Sequence, residues 1–176
     1  MYVPKTDTQK GITAVDRDDF ASRVVAAEPT LYRISKSILK NDSDCADAVQ
    51  EAIASAYGKL SSLREPGYFK TWLCRILIHE CYRLYRTNRN TVSLEEYAFP
   101  ETAPPQSRDP GLYAAIMALR EELRLVIVLH YVEGFQVAEI SQMLKIPVGT
   151  VKSRLSRARA ALRSALEKKE VPAHDA

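Results

Sequence analysis

"FQVAEISQMLKIPVGTVKSRLSRARAALR" occupies Phe135–Arg163 and holds two helical patterns separated by a tight turn. In the first, Val137, Ile140 and Leu144 recur at helical spacing, and Pro147 and Gly149 then interrupt the pattern. In the second, Val151, Leu155, Ala158, Leu162 and, just beyond, Leu166 fall in one apolar sector. Thr150, Ser153, Arg154 and Arg157 cluster on another sector, flanked by Lys152, Ser156, Arg159 and Arg163. From Lys145 onward the stretch carries six Lys or Arg residues and no acid. A solvated cationic face would account for the charge alone. It would not account for the turn, or for Thr150, Ser153 and Ser156 set among the cations. Two helices joined by a short glycine-containing turn, the second one basic, predict a helix-turn-helix that enters a DNA major groove. On that geometry Ser153, Arg154, Ser156 and Arg157, with Thr150 on the same face, lie near base edges, and Lys152, Arg159 and Arg163 near phosphates.

The charge distribution supports a second contact with a polyanion. Net charge is only +3, but it is unevenly spread. Lys145–Lys169 holds eight Lys or Arg and one Glu, and Lys70–Asn90 holds five against Glu80. Between these basic islands, "TVSLEEYAFPETAPPQSRDPG" (residues 91–111) has four acids, one Arg and four prolines. It shows no sustained period and reads as a flexible linker. Lobes tethered in this way are expected to have no fixed mutual orientation unless something holds them.

The first lobe also reads as helical, with no alternating strand pattern. "DFASRVVAAEPTLYRISKSILKN" has helical spacing, and Pro29 is expected to start a second helix within it. "NDSDCADAVQEAIASAYGKL" opens with Asp and Ser residues suited to an N-cap and with acids in the first turn. "GYFKTWLCRILIHECYRLYR" follows a Pro66-Gly67 break. On its wheel Trp72, Arg75, His79, Arg83 and Arg86 share one sector, roughly opposite Leu73, Leu77, Cys81 and Leu84. A tryptophan on a basic face, with Tyr68 and Phe69 just ahead, suits stacking on bases of a single strand. Packing of these aromatics between helices is the competing expectation. Asp44, Asp47 and Glu51, with Gln50, carry acid without base and suit a protein partner better than DNA.

The whole is predicted to be all-α, with two small helical domains at 16–90 and 112–168, a linker at 91–111, and tails at 1–15 and 169–176. The composition, 46% hydrophobic and 27% charged, is that of a globular protein. No apolar run suits membrane insertion and the N-terminus lacks a signal-peptide core, which predicts a cytoplasmic protein. Cys45, Cys74 and Cys81 have no CxxC spacing and are expected to be buried thiols. "HEC" lacks the second His of a zinc motif, and no P-loop or catalytic constellation occurs, so no cofactor and no enzyme activity are expected.

With both lobes in view, the chain resembles a bacterial RNA polymerase sigma factor of the extracytoplasmic-function group, from about Arg17 to Lys168. "DCADAVQEAIASAYGKL" looks like the region that docks on the clamp helices of the polymerase's largest subunit. "FKTWLCRILIHECYRLYR" looks like the region that melts and reads the −10 element, and "PVGTVKSRLSRAR" resembles the −35-reading region most specifically. The resemblance implies polymerase contacts by Asp44, Asp47, Gln50 and Glu51. It also implies −10 contacts by the loop Ser62–Tyr68 (Ser62, Leu63, Arg64 and Tyr68) and by Phe69, Lys70, Trp72, Arg75, His79 and Arg83. Core RNA polymerase (including the flap of the second-largest subunit), promoter DNA and an anti-sigma factor are the implied partners. Arg120 stands where that family usually places a helix-opening proline, which predicts a softer helix boundary there. A two-domain regulator that dimerises on a palindrome is the rival, and it leaves the aromatics of the basic stripe unexplained.

Overall fold

The computed structural model describes residues 15–91 and 109–170, so most of the expected tails and most of the linker lie outside the described residues. The first lobe has three helices. Helix α1 (Arg17–Leu39) starts where the Asp16 carboxylate accepts the Asp19 N–H at 2.8 Å, with Asp18 and Asp19 in the first turn. It then runs unbroken through Pro29, so the expected second helix is instead the continuation of the first. Two features permit this. Pro29 is exposed, so the Val25 carbonyl, left without its partner four residues on, sits where Val25 is 68% exposed and water can bond it. Phe20 and Ala27 before the proline, and Leu31, Ile34 and Ile38 after it, all bury on the same core.

Helix α2 (Asp42–Gly58) is capped by Asn41, whose side-chain oxygen accepts the Asp44 N–H at 2.7 Å, and not by the Asp and Ser residues that follow. It presents a stripe of small residues, Cys45, Ala48, Ala52 and Ala56, to the core. Two 3-10 turns, Leu60–Ser62 and Pro66–Tyr68, lead into α3 (Phe69–Thr91). Leu73, Leu77, Ile78 and Cys81 of α3 close the core, and each of the three helices packs on the other two. All three cysteines are free and buried, as expected, and burial raises their thiol pKa values, that of Cys74 to about 12.

The second lobe begins earlier than expected. Asp109 caps α4 (Pro110–Ala118) by accepting the Leu112 N–H at 2.9 Å, and Pro110 takes the first helical position, where its missing N–H costs nothing. This proline belongs to a helix start and not to the linker. Helix α5 (Glu121–Ile127) opens firmly after Arg120, whose carbonyl accepts the Leu123 and Arg124 N–H groups, both at 2.9 Å. Arg120 holds φ at −56°, the angle a proline would impose, so the boundary is sharp without the proline. Helix α5 continues into a π-helical turn, Val128–Val132, and Gly134 then reverses the chain at φ 77°. Helices α6 (Val137–Leu144) and α7 (Val148–Glu170) form the helix-turn-helix, with Ile140, Val151, Leu155 and Ala158 buried. Gln136 and Glu139 form a capping box at the start of α6.

The lobes pack against each other, α3 on α6, and α1 on both α5 and the π turn. The centre of this contact is Arg124, 1% exposed. Its Nε donates to the Ser37 carbonyl at 2.6 Å, and its Nη1 donates to Met117 and Leu119 carbonyls at 2.7 and 2.9 Å. Those carbonyls terminate α1 in one lobe and α4 in the other. One cation thus joins the negative ends of two helix dipoles.

The exposed proline generates the first prediction. Pro29→Ala restores the missing α1 hydrogen bond without disturbing the core. Helix propensity favours the change by about 3 kcal/mol, less about 1 kcal/mol for the looser unfolded chain. Urea unfolding is expected to show a gain of about 1–2 kcal/mol; a loss would show that the ring makes a stabilising contact.

Candidate nucleic-acid interface

Helix α7 separates its residues by face. Val151, Leu155 and Ala158 are buried, whereas Lys152, Ser153, Ser156, Arg157, Arg159 and Arg163 are exposed. Thr150 is half-buried in the first turn, its carbonyl accepting the Ser153 hydroxyl at 3.0 Å. The Arg157 Nε lies 3.4 Å from the Ser153 carbonyl, and Arg159 donates to the Tyr131 hydroxyl at 3.1 Å. Both arginines are therefore tethered at the surface with most of their donor capacity free. Arg154 differs from its expected place beside them. It is half-buried and turned into a groove of about 740 Å³ between the lobes, shared with His79, Tyr82 and Arg86.

Between the lobes a concavity of about 410 Å³ gathers Ser62, Leu63, Arg64, Tyr68, Trp72 and Arg75 of the first lobe against Gln142 and Met143 of the second. Tyr68 is 58% exposed at its rim, and Arg75 and Arg64 are exposed beside it. Leu63 is half-buried against the core. Trp72 departs from its expected exposure. It is 8% exposed, with Phe69 at 5.9 Å on one side, and Met143 of the second lobe lines both grooves that Trp72 enters. Phe69 corrects the expectation more strongly. It is 3% exposed and meets the Phe20 ring edge-on at 5.7 Å, so it is a core residue and no stacking platform.

Further along α3, Glu80 is buried and accepts from Arg83 Nε at 2.6 Å, with His79 Nδ1 at 3.4 Å. Burial pushes the Glu80 carboxyl up, but hydrogen bonds from Arg83 and His79 outweigh it and hold it below the usual range. Part of the positive stripe is therefore internally neutralised, and Arg75 is its freest cation near the pocket. Asp47, Gln50 and Glu51 are exposed on the face of α2 opposite the Cys and Ala stripe, while Asp44 is half-buried and accepts from the Asn41 amide at 2.7 Å. No group of His, Cys, Asp and Glu among the described residues has metal-binding arrangement.

Apart from Lys70, expected instead at the −10 strand, the polar residues that hold the lobes together are ones the sequence pattern did not single out. The side chain of Glu133, in the second lobe and directly after the π turn, is 1% exposed. Its Oε1 accepts from Arg33 Nε at 2.5 Å and its Oε2 from the Thr30 hydroxyl at 2.6 Å, with Lys70 Nζ at 3.6 Å. Tyr82 donates to Glu121 at 2.5 Å and Thr71 to Glu139 at 3.1 Å, and the Lys70 ammonium sits 5.2 Å from the Phe135 ring centroid. Three acids of the second lobe thus find partners on the first. One signal was present: Arg124 interrupts the apolar run "LRLVIVL", a position where a charge must find buried partners.

Known proteins share this architecture. The sigma-70 region 2 family model matches residues 24–91, and the sigma-70 region 4 model matches residues 111–162. The ECF RNA polymerase sigma factor SigW of Bacillus subtilis is 31% identical over 89% of this chain and 94% of its own. The ECF RNA polymerase sigma-E factor of Escherichia coli is 32% identical over 68% of this chain and 72% of its own. Among solved structures, the sigma factor RpoE in complex with the anti-sigma factor NepR, from Bartonella quintana, gives a TM-score of 0.71 at 26% identity, covering 85% of this chain and 98% of its own. CnrH in complex with the cytosolic domain of CnrY gives 0.64 at 25% identity, covering 89% and 92%.

A pH prediction follows from Glu133. Burial raises its carboxyl pKa, but bonds from Arg33 and Thr30 and the nearby Lys70 charge lower it further, to a net value below the ordinary one. Its contribution to docking is therefore fully present above the ordinary glutamate value of about 4.3 and is lost as pH falls through the lowered value. Trp72 is the chain's one tryptophan and lies beneath the second lobe. Its emission is expected to be constant from neutral pH to about 4.3, and to shift red below that, before helical circular dichroism is lost. A shift that coincides with global unfolding would show that Glu133 does not hold the lobes.

Proposed function

Since the chain belongs to the extracytoplasmic-function sigma factors of the sigma-70 family, a non-enzymatic group that directs transcription to promoters, we propose that its two lobes read a promoter in two physical states. One observation carries this reading: a concave aromatic and basic pocket on the first lobe, and a convex basic helix with small polar residues on the second. The helix face suits the −35 duplex, with Ser153, Ser156 and Arg157 at base edges and Lys152, Arg159 and Arg163 at phosphates. The pocket suits one base flipped from the −10 strand, received by Tyr68, Trp72 and the loop from Ser62, with Arg75 and His79 beside the backbone. Extruding a base costs a few kcal/mol, and stacking returns about 1–3 kcal/mol per base, so strand capture can sustain opening without nucleotide hydrolysis.

Gln142 and Met143 of the second lobe line the far wall of that pocket, so the lobes must part before a strand enters. Core polymerase would supply the separation, binding Asp47, Gln50 and Glu51 through the clamp helices of its largest subunit and the second lobe through the flap of the other large subunit. An anti-sigma factor would oppose it, as the complexes formed by the two structural relatives suggest, and the inter-lobe groove with Ile76, Ile78, Tyr82, Met143, Leu144 and Ile146 offers it an apolar seat. No helix among the described residues is long and apolar enough to cross a membrane, and the proposed site of action is the cytoplasm, at the nucleoid.

Run-off transcription with core polymerase and a promoter library tests the reading; no gain in promoter-specific transcript over core alone would overturn it. Within that assay Arg157→Ala is expected to cost about 1–3 kcal/mol and to relax −35 preference, whereas Lys152→Ala weakens every promoter alike and flattens the salt dependence. Uniform loss from Arg157→Ala would remove its base-reading role. Trp72→Ala is expected to leave initial binding largely intact and to reduce permanganate reactivity of −10 thymines; undiminished reactivity would assign Trp72 to packing alone.

A further inference from the structure

We propose that Thr30, Arg33 and Lys70 form a phosphate site on the first lobe, which Glu133 fills in the docked protein and a backbone phosphate of single-stranded promoter DNA takes when the lobes part. The inference rests on the promoter-reading function above and adds a site that lies off the basic stripe of α3. The three donors converge on one anion from two helices of one lobe. Arg33 Nε meets one carboxylate oxygen at 2.5 Å, and the Thr30 hydroxyl meets the other at 2.6 Å, with Lys70 Nζ at 3.6 Å. Arg33 and Thr30 stand one turn apart on α1, and Lys70 stands in the first turn of α3, so the packing of α1 on α3 within the first lobe holds the backbones that carry them.

The chemistry exceeds what a single carboxylate needs. Two cations and a hydroxyl face one negative charge, and among the described residues neither Arg33 nor Lys70 has another carboxylate in ion-pair range. When Glu133 withdraws, the site is left with an excess positive charge and a free hydroxyl donor. A phosphodiester spreads one negative charge over two oxygens, as the carboxylate does, and a guanidinium, an ammonium and a hydroxyl together are a phosphate-binding set. The position fits as well. Lys70 immediately precedes Thr71, which lines the pocket that receives the flipped base, so the site stands at the same end of α3 on a neighbouring face of the helix. A strand leaving that pocket toward α1 would carry its next phosphates there. Glu133 then acts as an internal competitor for nucleic acid, and docking and strand binding exclude each other at one set of atoms.

The test uses the full-length chain and fluorescein-labelled oligodeoxythymidylate, with affinity measured by anisotropy across a range of potassium chloride. Glu133→Gln is expected to shift Trp72 emission red, to retain helical circular dichroism and to bind more tightly than the parent. Adding Arg33→Gln to that variant is expected to leave the emission unchanged and to lower the salt slope by about 0.7, the value for one lost single-strand phosphate contact. Lys70→Gln in the same background checks the result if the Arg33 variant folds poorly. Equal affinity and slope in the singly and doubly substituted proteins would overturn the phosphate site, as would Glu133→Gln that leaves Trp72 emission unshifted. Run-off transcription by the parent separates the two levels. Transcription with equal slopes refutes only this site, whereas a slope difference without transcription refutes the promoter-directing function and leaves an anion site standing.

Discussion

A buried guanidinium with only carbonyl acceptors sets the relation between the two lobes. Arg124 is charged at any pH the fold survives, and its burial carries a desolvation cost that only well-placed acceptors offset. Those acceptors are the last-turn carbonyls of α1 and α4, groups that helices leave without partners in any case. Each need answers the other. If the lobes separate, Ser37 loses its donor and Arg124 regains water on one side, so parting exchanges one satisfied arrangement for another. The contact also carries apolar surface, Trp72 against Met143 among it, which opening exposes to water.

Around that cation the charges are sorted by surface. Glu121, Glu133 and Glu139 of the second lobe turn toward Tyr82, Arg33, Lys70 and Thr71 of the first. The cations of α7 remain largely on the outside, apart from Arg154. The same lobe thus offers an acidic face to its neighbour and a basic face to solvent.

The helices of both lobes and the face assignment of α7 were legible because they depend on local periodicity. The apolar sector through Val151, Leu155 and Ala158 is buried as its spacing implied. Misjudged features were those where tertiary contact overrides local preference. Pro29 looked like a helix start because local rules penalise an internal proline, yet its ring faces water and the core on either side carries the helix through. Pro110 looked like linker because it followed three other prolines, although Asp109 beside it was a cap. Trp72 shared a wheel sector with cations and still buried, since a wheel shows which side of one helix a residue occupies and not whether another lobe covers that side. Glu133, Arg33 and Thr30 carried no signal, because a contact between residues a hundred positions apart leaves no periodic trace in either segment.

The π turn at Val128–Val132 adds a further consequence. One inserted residue advances everything after it by about a quarter-turn relative to an uninterrupted helix. The direction in which the following acid faces is therefore a property of backbone phase as well as of side-chain identity. Two relatives with the same glutamate but different winding here would aim it at different neighbours, and their lobes would sit at different angles. An alignment column would score such a pair as identical while the interfaces diverged, so descent at this position is better compared by helical geometry than by letter.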